Sequence, residues 1–115
     1  MTYYTAMPYN TIMVFIETST FTKYLYRYLT EEEYVGLQSF LLLKPDAGNI
    51  VPGSGGVRKL RWGIAGRGKR GGVRIIYFLK WQDHKIWMLT LYAKNEVSTI
   101  PAHILRRMAE EIGND

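Results

Sequence analysis

The chain has 115 residues, enough for one domain with a modest core. Its apolar fraction of 47% and aromatic fraction of 14% exclude global disorder, and the absence of cysteine excludes disulfide frameworks, thiolate metal sites and thiol nucleophiles. The net charge of +5 and pI near 9.5 point to an acidic partner, and no apolar run approaches the roughly 20 residues that span a bilayer.

Residues 1–11 have no clear period and read as a flexible leader, without the basic start and apolar core of a signal peptide. Residues 12–17 are rich in β-branched and aromatic side chains and predict a strand. Ser19 or Thr20 then caps a helix with Phe21, Tyr24, Leu25 and Tyr28 at spacings of three and four. Thr30 and Glu33 form a capping box for a second helix, with Glu31 and Glu32 at its positive end and Tyr34, Leu37, Phe40 and Leu41 as its apolar stripe. Lys44-Pro45 ends it. The two helices are expected to form an antiparallel pair.

Nine of the eleven glycines then fall between Gly48 and Gly72, so the backbone there turns often or approaches a partner closely. Residues 57–62 alternate and predict a strand, followed by a basic loop over 63–71. Residues 73–81 are apolar almost throughout, as in a central strand covered on both faces. A turn at 82–85 and a returning strand at 86–92 complete a three-stranded antiparallel meander. The last element is a helix over 100–112, with Thr99 as cap, Pro101 in the first turn and Ile104, Leu105 and Met108 as its stripe. The expected fold is α+β in a single domain over 1–115: N-terminal strand, helix pair, meander, C-terminal helix.

No acidic residue stands between Asp46 and Asp83, yet Arg58, Lys59, Arg61, Arg67, Lys69, Arg70, Arg74 and Lys80 all lie there. Such a cluster repels itself, and a polyanion or an acidic protein would offset the repulsion; the alternative is a solvated face that keeps the chain soluble. Three phosphate-binding patterns occur in the glycine-rich stretch, and each lacks its context. Gly66, Gly68 and Gly71 match G-x-G-x-x-G, but a strand follows where a dinucleotide site needs a helix. With Val73 the match becomes kinase-like, without the catalytic motifs or the length of a kinase. The P-loop spacing from Gly63 ends in Arg70 instead of the hydroxyl that holds magnesium. His84 and His103 stand far apart, in a turn and on a helix, so no metal site or histidine acid–base pair is expected and no cofactor is implied.

The basic strand-loop-strand remains. Alternation puts Lys59 and Arg61 on one face of their strand and Leu60 and Trp62 on the other. Across the next hairpin, residues near Arg74 lie beside residues near Tyr92 and Lys94, so Lys59, Arg61, Arg74, Tyr92 and Lys94 can converge if the register allows. RNA carries its own nucleophile, the 2′-OH. A site that orients it, stabilises phosphoryl charge with Arg and Lys and moves protons through Lys or Tyr cleaves RNA without a metal. Plain RNA or protein binding without turnover uses the same residues.

Residues 55–61, 66–77 and 91–96 together resemble the RelE superfamily of type II toxins, in particular its HigB-like branch, and the similarity extends weakly to everything after about Met13. The resemblance implies a cytoplasmic endoribonuclease, an mRNA interferase that enters the ribosomal A site and cleaves translated mRNA. It also implies a cognate antitoxin, expected to carry a helix-turn-helix domain, with operator DNA bound only through the antitoxin complex. By the same resemblance Lys59 is a base or stabiliser, Arg61 and Arg74 stabilise the transition state, and Tyr92 and Lys94 lie where relatives place further active-site groups. Asn95 departs from the arginine of the classical RelE form, and that form's downstream tyrosine is absent, so the identity of the general acid stays open. Arg58, Arg67, Lys69 and Arg70 are expected to contact RNA or ribosome backbone. The rival readings are a non-catalytic RNA- or ribosome-binding module and a basic subunit for an acidic protein.

Overall fold

A computed structural model of the chain describes residues 2–6, 13–63, 72–96 and 99–113, and side chains from Met13 onward. The strands are β1 (Thr2–Ala6), β2 (Met13–Glu17), β3 (Asn49–Ile50), β4 (Val57–Trp62), β5 (Val73–Lys80) and β6 (Lys85–Ala93). The helices are α1 (Ser19–Tyr28), α2 (Glu31–Leu43) and α3 (Ala102–Gly113). The strands form one mixed sheet of order β1-β2-β6-β5-β4-β3. β4, β5 and β6 are the expected antiparallel meander, while β2 joins β6 in parallel and β1 and β3 extend the two edges. The sheet is therefore larger than a meander. Thr2–Ala6, read from sequence as part of a leader, pairs with β2 as an edge strand, because backbone pairing needs no hydrophobic period of its own. No described helix is long and apolar enough to cross a membrane.

Helices cover both faces. On one side Phe21, Leu25 and Tyr28 of α1 and Tyr34, Leu37 and Leu41 of α2 pack on Phe15, Ile75, Tyr77 and Met88. On the other side Leu105, Ala109 and Ile112 of α3 pack on Val57, Ile76, Trp87 and Leu89. β5 and β6 are buried on both faces, which is why they read as continuous apolar runs.

The helix starts are fixed by side chains. Thr18, not Ser19 or Thr20, caps α1: its Oγ1 accepts from the Phe21 N–H and donates to the Leu89 carbonyl at 2.7 Å. The Thr30–Glu33 capping box is present in full. Glu17, 1% exposed at the end of β2, accepts from the Thr22 hydroxyl at 2.6 Å and from the Tyr34 hydroxyl at 2.8 Å, tying the strand to both helices. A 3-10 turn over Trp81–Asp83, followed by His84 at φ 55°, closes the β5–β6 hairpin one residue earlier than the sequence implies.

On the far edge the Tyr77 hydroxyl donates to the Pro45 carbonyl at 2.7 Å and accepts from the Gly48 N–H at 2.8 Å. A Cβ on Gly48 would meet the Tyr77 ring at 2.8 Å, so only glycine allows this approach.

Candidate nucleic-acid interface

Strand alternation and register place Val57, Lys59 and Arg61 of β4 on the α3 face of the sheet, together with Arg74, Ile76 and Phe78 of β5 and Tyr92 of β6. Arg61, Arg74 and Tyr92 are directly opposite one another, in one row across three strands. Lys59 opposes Ile76 and Thr90 in the adjacent row. Directly opposed side chains start about 5 Å apart, and Lys59 is about 7 Å along β4 from Arg61. Four of the five residues singled out for chemistry thus share one patch. Lys94 stands in the exposed turn just past β6, at the same end of the sheet.

α3 makes this patch a margin rather than core. Its first turns lie over the β3–β4 connection, where Gly53 approaches Ala102 and Gly55 approaches Arg106. Along the covered face of β4, Val57 is buried, Lys59 half-buried and Arg61 exposed. The helix ends its coverage where the cations begin.

Arg74 is the anomaly. It is 8% exposed, yet among the described residues its guanidinium has neither a hydrogen bond nor a carboxylate partner, and its direct neighbour on β4 is a second arginine. A side chain so largely covered, with its charge opposite a like charge and no anion beside it among the described residues, destabilises a sheet unless an anion joins it. On its other side, burial raises the pKa of Tyr92 above the ordinary tyrosine value, and the Arg74 charge offsets only part of that rise. Like an ordinary tyrosine, Tyr92 carries its proton at neutral pH and can donate a hydrogen bond.

Arg58 is placed differently. It shares the opposite face with Tyr77, and its Nη1 donates to the Gly48 carbonyl at 2.7 Å and to the Asp46 carbonyl at 3.2 Å. Those bonds hold the β3 approach, so Arg58 is not among the cations of the patch. Arg67, Lys69 and Arg70 lie outside the described residues, in a connection that leaves the sheet after Trp62 and returns at Val73, a pair adjacent to Arg61 and Arg74. His84 and His103 are exposed and away from the row.

No model of a known protein family matches the chain.

Sequence reasoning passes over the surroundings of Tyr92. A cleft of about 310 Å³ adjoins it, lined in part by Tyr24, Tyr28, Thr90, Glu96 and Ile100. The α1 tyrosines lie on a stripe that reads as core, and only the tertiary contact of α1 with the end of β6 reveals their second role.

Proposed function

We propose that the chain is a RelE/HigB-like toxin, a ribosome-dependent endoribonuclease that cleaves translated mRNA by attack of the 2′-OH on the adjacent phosphate. The observation that carries this reading is the Arg61–Arg74–Tyr92 row, with Lys59 beside it and Arg74 largely covered with no counter-ion among the described residues. A phosphodiester supplies the missing anion. It also accounts for a patch that adds a phenolic donor to its cations, which an acidic protein partner would not require.

In this reading Arg61 and Arg74 hold the non-bridging oxygens and stabilise charge that grows as the fifth oxygen adds to phosphorus. Lys59 holds the 2′ oxygen as its proton passes to a solvent water, the oxygen's electron pair forming the new bond to phosphorus. Tyr92, whose phenol stands in the row with Arg74, donates its proton to the 5′ oxygen as the P–O5′ bond breaks. The products are a cyclic or 3′ phosphate and a 5′-hydroxyl end. The nucleophile belongs to the substrate, so the scheme calls on no cofactor. Lys94 extends the electrostatic footprint along the RNA, and by sequence Arg67, Lys69 and Arg70 add to the same basic run. The coarse fold, an α+β domain whose helices pack on a sheet that contains the β4–β5–β6 meander, is compatible with this proposal. A cytoplasmic setting, a cognate antitoxin and autoregulation through operator DNA belong to the same proposal.

The test is induction in bacteria without an antitoxin, with mRNA 5′ ends mapped by primer extension. Translation-dependent cuts are expected from the wild type, and Arg74→Ala should lower them by about 100-fold or more. Absence of new cuts from a folded, well-expressed wild type overturns the reading. Cuts absent while salt-sensitive RNA or ribosome binding persists would instead favour the non-catalytic module.

A further inference from the structure

The cleft beside Tyr92 has a composition unlike the rest of the basic surface. Pairing of β2 with β6 stops at Glu17–Met88, so the Thr90–Tyr92 edge of β6 is left without a neighbouring strand. α1 turns away there and supplies a wall from Tyr24, Arg27 and Tyr28, while Ile100 closes the other side. At the rim Glu96 is held in place: its Oε2 accepts from the Tyr28 hydroxyl at 3.0 Å and meets Arg27 Nη2 at 3.5 Å, and Arg27 in turn lies over the Tyr28 ring. No bond to a described residue occupies Oε1.

Glu96 offsets the charge of Arg27, so this part of the surface adds no net positive charge to the polyanion track. It accepts hydrogen bonds, which suits the amino edge of a base. The volume is at the lower end for small-molecule sites, enough for one planar ring system and too small for a helix or strand. Sequence-selective RNA recognition commonly splays a base onto aromatic side chains and bonds its Watson–Crick edge. Tyr92 belongs to both the cleft and the arginine row, so a nucleotide whose phosphate lies on Arg74 has its base, or its neighbour's, within reach of the cleft.

We propose that the cleft is a base-selecting subsite for adenine, cytosine or guanine, whose exocyclic amino group donates to Glu96, and that it disfavours uracil, whose one edge donor, N3–H, lies between two carbonyls that a carboxylate repels. This deepens the nuclease reading and rests on it for the phosphate held at Arg61 and Arg74.

Two measurements test it on the full chain. In the first, AMP, CMP, GMP and UMP are titrated against the ¹⁵N-labelled protein. Amides of Leu91, Glu96 and Ile100 should shift, with UMP about tenfold weaker than the other three, as a hydrogen bond to a charged group offset by two repelled carbonyls implies. Glu96→Gln, whose amide also donates to the uracil carbonyl, should bring the ratio to about one. Misfolding would weaken all four alike and leave the ratio untouched. No cleft shifts, or equal affinity for the four in the wild type, overturns the subsite. In the second, cut sites in translated mRNA should avoid uracil at one fixed position, and Glu96→Gln should admit it. A protein that discriminates nucleotides but cuts nothing refutes the nuclease and keeps the subsite. One that cuts with a base bias unmoved by Glu96→Gln does the reverse.

Discussion

Arg74→Met separates what the Arg61–Arg74 pair costs the fold from what it does for a ligand. Methionine keeps the length and apolar stem of the side chain while removing the guanidinium. The two side chains start about 5 Å apart as a direct cross-strand pair and splay as they extend; with the guanidinium charges about 7 Å apart, their repulsion is about 0.6 kcal/mol in water and about 2.4 kcal/mol at an effective dielectric of 20. Arg61 is exposed and free to turn toward solvent, so the lower part of that range applies. Arg74 is nearly buried, so relief of its desolvation adds to the gain. The variant should be more stable by about 1 kcal/mol, a rise of about 0.5 M in the urea midpoint for a domain of this size.

Salt supplies the internal control. Between about 0.01 M and 0.15 M ionic strength the screening length falls from about 30 Å to about 8 Å, comparable with the charge separation. The wild type should therefore gain more stability from added salt than Arg74→Met does, and phosphate should stabilise it beyond an equal ionic strength of chloride. RNA binding should move the other way, weaker in the variant and with a shallower salt slope by about one phosphate contact. A destabilised Arg74→Met, or one that binds RNA with the wild-type salt slope, would refute the claim that this arginine is held ready for an anion.

Tyr77→Phe should destabilise by about 1–3 kcal/mol in urea titrations, because the Gly48 N–H and the Pro45 carbonyl both lose their partner in a confined site. Thr30→Ala removes half of the capping box and should cost about 1 kcal/mol, with a matching loss of far-UV helix signal on heating. Tyr28, Tyr77 and Tyr92 all have pKa values raised above 10, chiefly by burial, so the stability their neutral forms contribute is complete below pH 10 and falls as pH climbs through the raised values. Phenolate absorbance near 295 nm should therefore show these three ionising late or together with alkaline unfolding, and a stability loss centred below pH 10 would contradict the assignment.

Most element types were legible because local chemistry and tertiary packing agree. The Thr30-x-x-Glu33 spacing, the Phe21–Leu25–Tyr28 stripe and the two-sided apolar run of β5 each announce one structure and find it. What stayed hidden depends on partners distant in sequence. β3 is two exposed residues that exist by pairing with Arg58 and Lys59. β1 is defined by its register on β2. Arg58 reads as one more cation in a basic run, and only the bend that brings Asp46 and Gly48 against it gives it a structural role. Nor does the pattern say that α3 takes the face opposite α1 and α2.

The least legible feature decides the candidate site. From the turn, β5 and β6 pair as Lys80 with Lys85 and continue to Tyr77 with Met88, a register that extended unchanged would set Leu91 opposite Arg74. Between Ile76 and Tyr77 the register shifts, so that Thr90 opposes Ile76 and one extra residue, Leu89, sits on β6. Both Leu89 and Tyr92 then belong to the α3 face, while Leu91 moves to the side of α1 and α2, where it is buried. A bulge of this kind leaves no fixed residue signature, and its effect is to re-aim every side chain beyond it. Thr18 engages β6 at that point, with its N–H on the Met88 carbonyl and its hydroxyl on the Leu89 carbonyl. The α1 cap and the bulge are thus one local structure. It places the phenol of Tyr92 in the row of Arg61 and Arg74 and ends the β2 pairing that would otherwise cover the cleft beside it.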